Sequence, residues 1–215
     1  MSLNVLHGLL TRPQLDQVRA LLEQGPWLDG RQTAGAEAAR IKRNLQLDRA
    51  SSTQAELAEL IKRALHESEP FKQLALPRRI STPLFSRYDE GMEYGLHTDD
   101  AYRAQEMLRT DLAVTLFLSE PESYDGGALV LGDSAVKAAA GDAVVYPATS
   151  IHRVARVERG SRLACVFWVQ SLVRDEAQRD ILVALQGISA RLSGQHAVSL
   201  ALSRVQQNLL RMWLD

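Results

Sequence analysis

The chain has 215 residues, of which 46% are hydrophobic and 24% charged, and its formal net charge is −1. This composition is typical of a globular domain with a core, and the balanced charge argues against nucleic acid or an anionic membrane as partner. The single cysteine, Cys165, excludes an intramolecular disulfide. With no apolar run of roughly 20 residues and no basic leader, we expect a soluble cytoplasmic protein.

The first predicted elements are helices within residues 11–66. "TRPQLDQVRALLEQ" repeats its apolar residues at helical spacing after Thr11, a suitable cap. "TQAELAELIKRALHE" opens with Thr53 and Glu56 at the spacing of a capping box. The Gly-, Ala- and Arg-rich segment between these two stretches is predicted to begin as a loop.

From about residue 77 the hydrophobic period shortens and β-forming residues dominate. The candidate strands are "RISTPLFSRY", "MEYGLH", "DLAVTLFL", "GALVL", "SAVKA", "DAVVY", "IHRVARV" and "LACVFWV". Turn residues separate several of them, at Asp125-Gly126-Gly127, Gly141-Asp142 and residues 158–161. About eight short strands at close spacing predict a sandwich or a barrel.

After about residue 174 the helical period returns in two apolar stripes. These are Ile181, Leu185, Ile188 and Leu192, and then Leu202, Val205, Leu209 and Trp213. The stripes allow two interpretations, a helix pair covering the core or the seam of a homodimer. We therefore divide the chain into an N-terminal helical region (1–76), a β core (77–173) and a C-terminal helical region (174–215).

One metal-binding pattern lies in the β region, at "HTDD". In a strand, His97 and Asp99 would point to the same side and could meet one ion. Two histidines and one carboxylate form the facial triad of non-haem Fe(II). Of the other histidines, which are His7, His66, His152 and His196, only His152 falls among the strands.

A facial triad leaves positions for a chelating keto acid and O₂. A second carboxylate on that keto acid needs a cation, and Arg162 is ten residues beyond His152. A hairpin folded about residue 159 would set Arg162 opposite Arg156, about 13 Å along the strand from His152. Tyr88 could add a hydroxyl donor to the same carboxylate, and Tyr94 could flank the metal or the substrate.

At these residues the sequence resembles bacterial PKHD-type hydroxylases, which are Fe(II)- and 2-oxoglutarate-dependent dioxygenases similar to prolyl 4-hydroxylases. The resemblance covers nearly the whole chain through "RYDEGMEYGLHTDD", "RTDLAVTLFLSEPESYDGGALVL", "GDAVVYPATSIHRVARVERGSRLACVFWVQSLVRD" and "NLLRMWL". It implies an α+β fold with a double-stranded β-helix (jelly-roll) core and helices packed around it.

By position, the resemblance implies metal ligation by His97, Asp99 and His152, and cosubstrate binding by Arg162 and Tyr88. It also implies oxidative decarboxylation of 2-oxoglutarate to succinate and CO₂, hydroxylation of an amino-acid side chain or small molecule, and ascorbate as reductant. One departure is Ala128, where many relatives carry an acid after the glycine pair.

Two other functions stay open on the sequence alone. A nucleic-acid demethylase on the same fold would need a basic groove with aromatics, which a net charge of −1 does not supply. A non-enzymatic jelly-roll module would have no need of Arg162. Asp100 is predicted to cap a loop, Cys165 to fill space, and residues 28–48 and 100–110 to line the entrance of the site.

Overall fold

Helices lie towards both ends of the chain and strands fill its middle. The computed structural model describes residues 3–33, 35–192 and 196–214. Its helices are α1 (Arg12–Glu23), α2 (Ala36–Ile41), α3 (Ser52–Glu67), α4 (Glu69–Ala75), α5 (Glu176–Arg191) and α6 (His196–Trp213). None of these described helices has the length and apolarity needed to cross a membrane.

The strands are short, apart from the last. They are β1 (Asn4–Leu6), β2 (Trp27–Asp29), β3 (Lys42–Arg43), β4 (Leu45–Leu47), β5 (Pro77–Ile80), β6 (Leu84–Asp89), β7 (Glu93–His97), β8 (Tyr102–Arg103), β9 (Leu108–Arg109), β10 (Leu112–Phe117), β11 (Tyr124–Gly126), β12 (Leu129–Leu131), β13 (Ser134–Val136), β14 (Ala143–Pro147), β15 (His152–Val154) and β16 (Val157–Ser171). Short 3-10 turns connect several of these elements.

Polar side chains fix where the first long helices begin. At the start of α1, the Thr11 backbone N–H donates to Gln14 Oε1 at 2.9 Å. Helix α3 is capped two residues before the predicted capping box, because Ser51 Oγ accepts from the Gln54 N–H at 3.1 Å. Both helices exist as predicted, while the cap of α3 is Ser51 and not Thr53.

The larger sheet is covered by helices on one face. Its strand order is β1-β14-β10-β16-β6-β4-β2, and β5 and β11 pair with β16 outside this path. Successive residues of β16 alternate between the two faces. Cys165 and Phe167 therefore pack with Val18 of α1 and Leu57 of α3 in the main hydrophobic cluster. Cys165 is buried there, and burial raises the pKa of its thiol, so it fills space as predicted.

The smaller sheet faces the other side of the larger one. Its strand order is β13-β12-β15-β7-β3, with β8 and β9 paired separately. A second hydrophobic cluster joins the sheets, with Phe117 and Tyr146 of the larger sheet packed against Leu129 and Leu131 of the smaller. Two antiparallel sheets around a shared core, with helices outside, form the predicted jelly roll.

The prediction that residues 11–66 are helical is wrong for part of this region. The segment 27–47 contains β2, β3 and β4 as well as α2. Strand β4 extends the larger sheet beside β6, and β3 extends the smaller sheet beside β7. Strands of two or three residues are too short to show an alternating hydrophobic pattern. They form because neighbouring strands of the sheets pair with them.

The predicted hairpin turn at residues 158–161 is also absent. Strand β16 runs through this segment without reversing, and Gly160 takes a φ of +78° within it. Strand β15 pairs with β7 and β12 in the smaller sheet, while β16 belongs to the larger one. The connection after Val154 therefore crosses between sheets, so Arg162 does not lie opposite Arg156.

Both C-terminal helices are present, but α5 buries a different face from the predicted stripe. Ile181 and Ile188 are each 47% exposed, whereas Leu182 is 2% exposed. The cluster around Leu182 contains Leu76, Val173, Leu172, Leu209, Leu210 and Trp213. Arg179 shares the buried face because its Nη1 donates to the Val173 and Arg174 carbonyls, at 2.8 and 2.7 Å. A periodic stripe could not reveal this polar anchor.

Candidate active site

Three potential metal ligands meet where β7 ends and β15 begins. His97 is the last residue of β7 and His152 the first of β15, and the two pair directly across the strands. One ligand atom each from His97, Asp99 and His152 lies within 4.8 Å of the others. His152 Nε2 is 3.9 Å from Asp99 Oδ1. The structure thus brings together the three residues that the sequence predicts as ligands.

An irregularity in β7 aims Tyr94 and His97 at the same cavity. His97 pairs with His152 and Tyr94 with Val154, so three steps along β7 match two along β15. Residues three apart in a regular strand point to opposite faces, and the extra residue restores a common face. The Tyr94 and His97 rings stack with their centroids 3.7 Å apart and their planes 17° apart.

Asp99 reaches the cluster from outside the strand. The strand does not continue through Asp99, the condition under which His97 and Asp99 would share a strand face, because β7 ends at His97, opposite the first residue of β15. The Thr110 hydroxyl donates to the Asp100 carbonyl at 2.5 Å and helps to hold the turn that follows. Asp100 is exposed and lies outside the cluster of three.

Both imidazoles are held with one nitrogen directed at the cluster. His97 Nδ1 lies 2.8 Å from the Gly95 carbonyl oxygen, and His152 Nδ1 lies 3.0 Å from that of Ser150. A carbonyl can only accept, so each Nδ1 carries the proton and each Nε2 keeps a free lone pair. Burial, reinforced by the nearby His152, lowers the pKa of His97 to about 4, which keeps that ring neutral.

The carboxylate of the cluster has an unsatisfied oxygen. Asp99 Oδ2 is buried without a hydrogen-bond partner among the described residues. Burial raises the pKa of the Asp99 carboxyl, and the neighbouring His152 opposes that rise. Two imidazole nitrogens and one carboxylate, all offering lone pairs to one point, fit a divalent cation of the Fe(II) type.

The cluster opens into a cavity of about 570 Å³ between the two sheets. The larger sheet contributes side chains from alternate positions of its strands. These are Leu84, Ser86 and Tyr88 of β6, Thr115 of β10, Tyr146 of β14, and Val166 and Trp168 of β16. A cavity of this size holds a small molecule or one amino-acid side chain beside a chelated cosubstrate.

Arg162 is a buried cation on the larger sheet. It is 1% exposed and pairs with Tyr88 across β16 and β6. Its guanidinium carbon lies 5.2 Å from the Tyr88 ring centroid and 5.3 Å from that of Phe117. Its Nε and Nη2 have no hydrogen-bond partner among the described residues. A buried guanidinium with unused donors fits a carboxylate ligand, although the route to this position differs from the predicted hairpin.

The two predicted tyrosines occupy different walls of the cavity. Tyr88 lines the cavity, and its ring is the one that the Arg162 guanidinium contacts. Burial raises the pKa of Tyr88 to about 12, against the opposing charge of Arg162, so its hydroxyl stays protonated and can donate. Tyr94 lies on the smaller sheet, over His97.

Several cavity residues were missed by the sequence reasoning. The Arg103 guanidinium stacks over the Trp168 ring, 4.3 Å from its centroid, and Lys42 Nζ lies 5.3 Å from the Tyr94 centroid. Burial lowers the pKa of Lys42 to about 8. Lys42 lies in the segment 28–48 and Arg103 in the segment 100–110, and both side chains line the cavity. That these two segments form the entrance of the site stays a prediction. Trp168 could have been predicted to line the cavity, because it is an even number of residues from Arg162 on β16 and the two therefore share a face of the strand.

The chain is similar in sequence and fold to proteins of known family. A family model described as the 2OG-Fe(II) oxygenase superfamily matches residues 83–170. The chain is 46% identical to a PKHD-type hydroxylase of Caulobacter vibrioides, over 96% of both proteins. It is 47% identical to a PKHD-type hydroxylase of Methylobacterium nodulans, over 97% of both.

Solved structures share the fold at low sequence identity. A viral collagen prolyl hydroxylase from Paramecium Bursaria Chlorella virus-1 matches with a TM-score of 0.57 and 14% identity, over 80% of this chain and 97% of that one. A Pseudomonas putida prolyl-4-hydroxylase matches with a TM-score of 0.52 and 20% identity, over 79% and 92%.

Proposed function

The chain belongs to the PKHD-type hydroxylases, which are 2OG-Fe(II) oxygenases, and from this premise we propose which residues operate its dioxygenase chemistry. His97, Asp99 and His152 hold the iron. Arg162 and Tyr88 bind the far carboxylate of 2-oxoglutarate. The observation that supports the ligand set best is the convergence of three lone-pair donors within 4.8 Å.

The bound iron, with 2-oxoglutarate and O₂, supplies the oxidation, in which the keto acid becomes succinate and CO₂ and an oxygen atom enters a substrate C–H bond. The residues of the protein prepare that chemistry. Gly95 and Ser150 orient the two imidazoles through their carbonyls, and Asp99 lowers the net charge of the centre. Arg162 fixes the cosubstrate through parallel N–H donors, and the sheet walls exclude water.

The substrate is proposed to be an amino-acid side chain or a small molecule. The cavity volume of about 570 Å³ supports a substrate that inserts one reacting group between the sheets. The prolyl hydroxylases named among the structural relatives share this fold, which favours a C–H bond of a ring or an amino-acid residue. The net charge of −1 supports this class over a nucleic acid. Assaying succinate release with candidate substrates identifies the class that stimulates turnover.

Three further properties belong to the same proposal. Ascorbate serves as reductant, tested by its effect on the number of turnovers before inactivation. The single cysteine agrees with a reducing cytoplasm, tested by cell fractionation. Exposed apolar side chains on α5 and α6, including Ile181, Ile188 and Leu200, support a homodimer through these helices. Sedimentation velocity of the full-length protein measures that state.

The ligand assignment is tested by a matched pair of neighbouring acids. We expect Asp99→Ala to weaken Mn(II) or Fe(II) binding by at least about 100-fold and to abolish succinate release, because it removes a ligand. Asp100→Ala should keep metal affinity close to that of the wild type, because Asp100 lies outside the cluster. Isothermal titration with Mn(II) and a succinate assay measure both. The reverse pattern would contradict the assignment.

A further inference from the structure

Tyr124, the first residue of β11, is buried in an unusual way. Its side chain is fully buried, yet its hydroxyl forms no hydrogen bond of normal geometry with a described residue. A buried tyrosine hydroxyl normally finds a partner, because leaving it without one costs free energy. The hydroxyl therefore has hydrogen-bonding capacity that the described residues do not use.

The strand pairing sets Tyr124 beside Arg162. Tyr124 lies opposite Gly160 across β11 and β16, and Arg162 is two residues farther along β16 on the same face. Such diagonal neighbours are within reach of each other's long side chains. Burial raises the pKa of the Tyr124 hydroxyl, and the Arg162 guanidinium opposes this rise by its charge and as a hydrogen-bond donor, as expected for close neighbours.

Together these two side chains present more donors than acceptors. Arg162 can only donate, and its Nε and Nη2 are buried without partners among the described residues. The Tyr124 hydroxyl is protonated, so even when it accepts from Arg162 its own hydrogen still needs an acceptor. The rings that Arg162 contacts, those of Tyr88 and Phe117, offer no carboxylate. Arg162 and Tyr124 therefore have hydrogen-bond donors left over, which an anionic oxygen of a ligand could accept.

The backbone around Tyr124 is shaped to hold the ring in this place. Lys137 Nζ donates to the Tyr124 carbonyl at 2.7 Å and lies 4.0 Å from the ring centroid. Gly127 has a φ of +63°, and a Cβ there would lie 2.9 Å from Tyr124 Cε2. At Gly160 a Cβ would lie 2.5 Å from the Ser123 carbonyl oxygen. The glycines that the sequence suggested as turn residues therefore make room for this tyrosine.

We propose that Tyr124 is a further cosubstrate-binding residue, whose hydroxyl donates a hydrogen bond to the far carboxylate of 2-oxoglutarate beside Arg162. This inference rests on the proposed function, in which Arg162 binds that carboxylate. It assigns the site a hydroxyl donor that comes from β11, in addition to Tyr88 on β6. Tyr124 thereby contributes to selection of a dicarboxylic keto acid over a monocarboxylic one.

The test compares two keto acids on three variants. 2-Oxopentanoate has the five carbons of 2-oxoglutarate but a methyl group in place of the far carboxylate. The full-length protein, loaded with Mn(II) without O₂, is titrated with each keto acid by calorimetry, which measures binding independently of turnover. The variants are Tyr124→Phe, Arg162→Leu and Tyr102→Phe, the last being a control because Tyr102 is 55% exposed.

We expect Tyr124→Phe to raise the dissociation constant of 2-oxoglutarate about tenfold, as for loss of one hydrogen bond to a charged group. Its affinity for 2-oxopentanoate should stay unchanged, and Tyr102→Phe should bind both like the wild type. The inference is overturned if Tyr124→Phe binds 2-oxoglutarate like the wild type, or if it weakens both keto acids equally, as a general packing defect would.

Arg162→Leu separates this inference from the proposal beneath it. Loss of 2-oxoglutarate binding in Arg162→Leu, with wild-type binding in Tyr124→Phe, contradicts only the role of Tyr124. Wild-type affinity in Arg162→Leu contradicts the carboxylate site itself, and the role of Tyr124 falls with it.

Discussion

The two histidines of the site are prepared for metal binding before any metal arrives. Each donates a hydrogen bond from its Nδ1–H to the backbone carbonyl two residues earlier, at Gly95 and Ser150. The fixed tautomer leaves Nε2 as the only free nitrogen, so rotation of the ring is not needed for ligation. The lowered pKa of His97 has a consequence for the metal-free protein.

We expect His97 to make the metal-free protein less stable in acid. Its pKa is lowered from an ordinary 6.5 to about 4 by burial and by His152, so the unfolded protein binds more protons between these values. Stability is therefore present above about pH 6.5 and is lost as the pH falls towards 4. From pH 7 to pH 5 the loss in unfolding free energy attributable to His97 is about 1 to 2 kcal/mol, allowing for partial exposure.

Urea unfolding of the metal-free wild type and of His97→Gln at both pH values measures this loss. Glutamine keeps a polar side chain but does not titrate, so the variant should lose less stability over the same interval. An equal loss in both proteins would show that the acid sensitivity comes from other groups. Added Mn(II) should reduce the difference, because a bound cation competes with the proton.

Single residues were predicted from the sequence where chemistry is local and missed where it depends on register. The spacing of His97 and Asp99 pointed to a ligand pair, and His152 was the one remaining histidine among predicted strands. Arg162 was chosen for its charge, but through a hairpin that does not exist. Tyr124 was not predicted as a site residue, because its position beside Arg162 depends on the pairing of Tyr124 with Gly160 on a strand distant in sequence.

At the scale of elements, the junction of β11 and β16 brings backbone atoms of the two strands into close contact. Within β16, Gly160 has a φ of +78° and closely approaches the Ser123 carbonyl. Gly132 offers a matched comparison. It has a φ of +54°, and a Cβ there would meet nothing within 4 Å.

We expect Gly160→Ala to lower the free energy of unfolding by about 3 kcal/mol and Gly132→Ala by about 1 kcal/mol. The left-handed backbone costs each alanine about the same, while Gly160→Ala adds a steric clash. Chemical denaturation measures both values. Equal destabilisation would mean that the junction relaxes freely, and the backbone would then not hold Tyr124 in place.

Strands and helices with a clear hydrophobic period were predicted correctly. Short strands that depend on pairing with a neighbouring strand were not. The strands β10, β12, β13 and β14 match the predicted segments, because each carries β-forming residues between turn signals. The strands β2 to β4 have two or three residues and no visible period. Helix α5 was found, but its buried face was not, since Arg179 anchors the helix through backbone carbonyls.

At the scale of the whole molecule, the proposed site divides its tasks between the two sheets. The smaller sheet, with the segment after β7, carries the metal ligands His97, Asp99 and His152. The larger sheet carries Arg162 and Tyr88 on β16 and β6. A cosubstrate that chelates the metal at one end and meets Arg162 at the other would therefore span the gap between the sheets. Its binding should stabilise both sheets together.

Hydrogen–deuterium exchange of the full-length protein measures this coupling. Mn(II) alone should slow amide exchange in β7 and β15, and 2-oxoglutarate should extend the protection to β6 and β16. At 100 times its dissociation constant, the cosubstrate adds about 2.7 kcal/mol to global stability. 2-Oxopentanoate should protect the smaller sheet but leave β16 close to its Mn(II)-only rate, because it has no carboxylate for Arg162. If both keto acids protected β16 equally, the far carboxylate would not lie at Arg162, and the two sheets would not be joined through it.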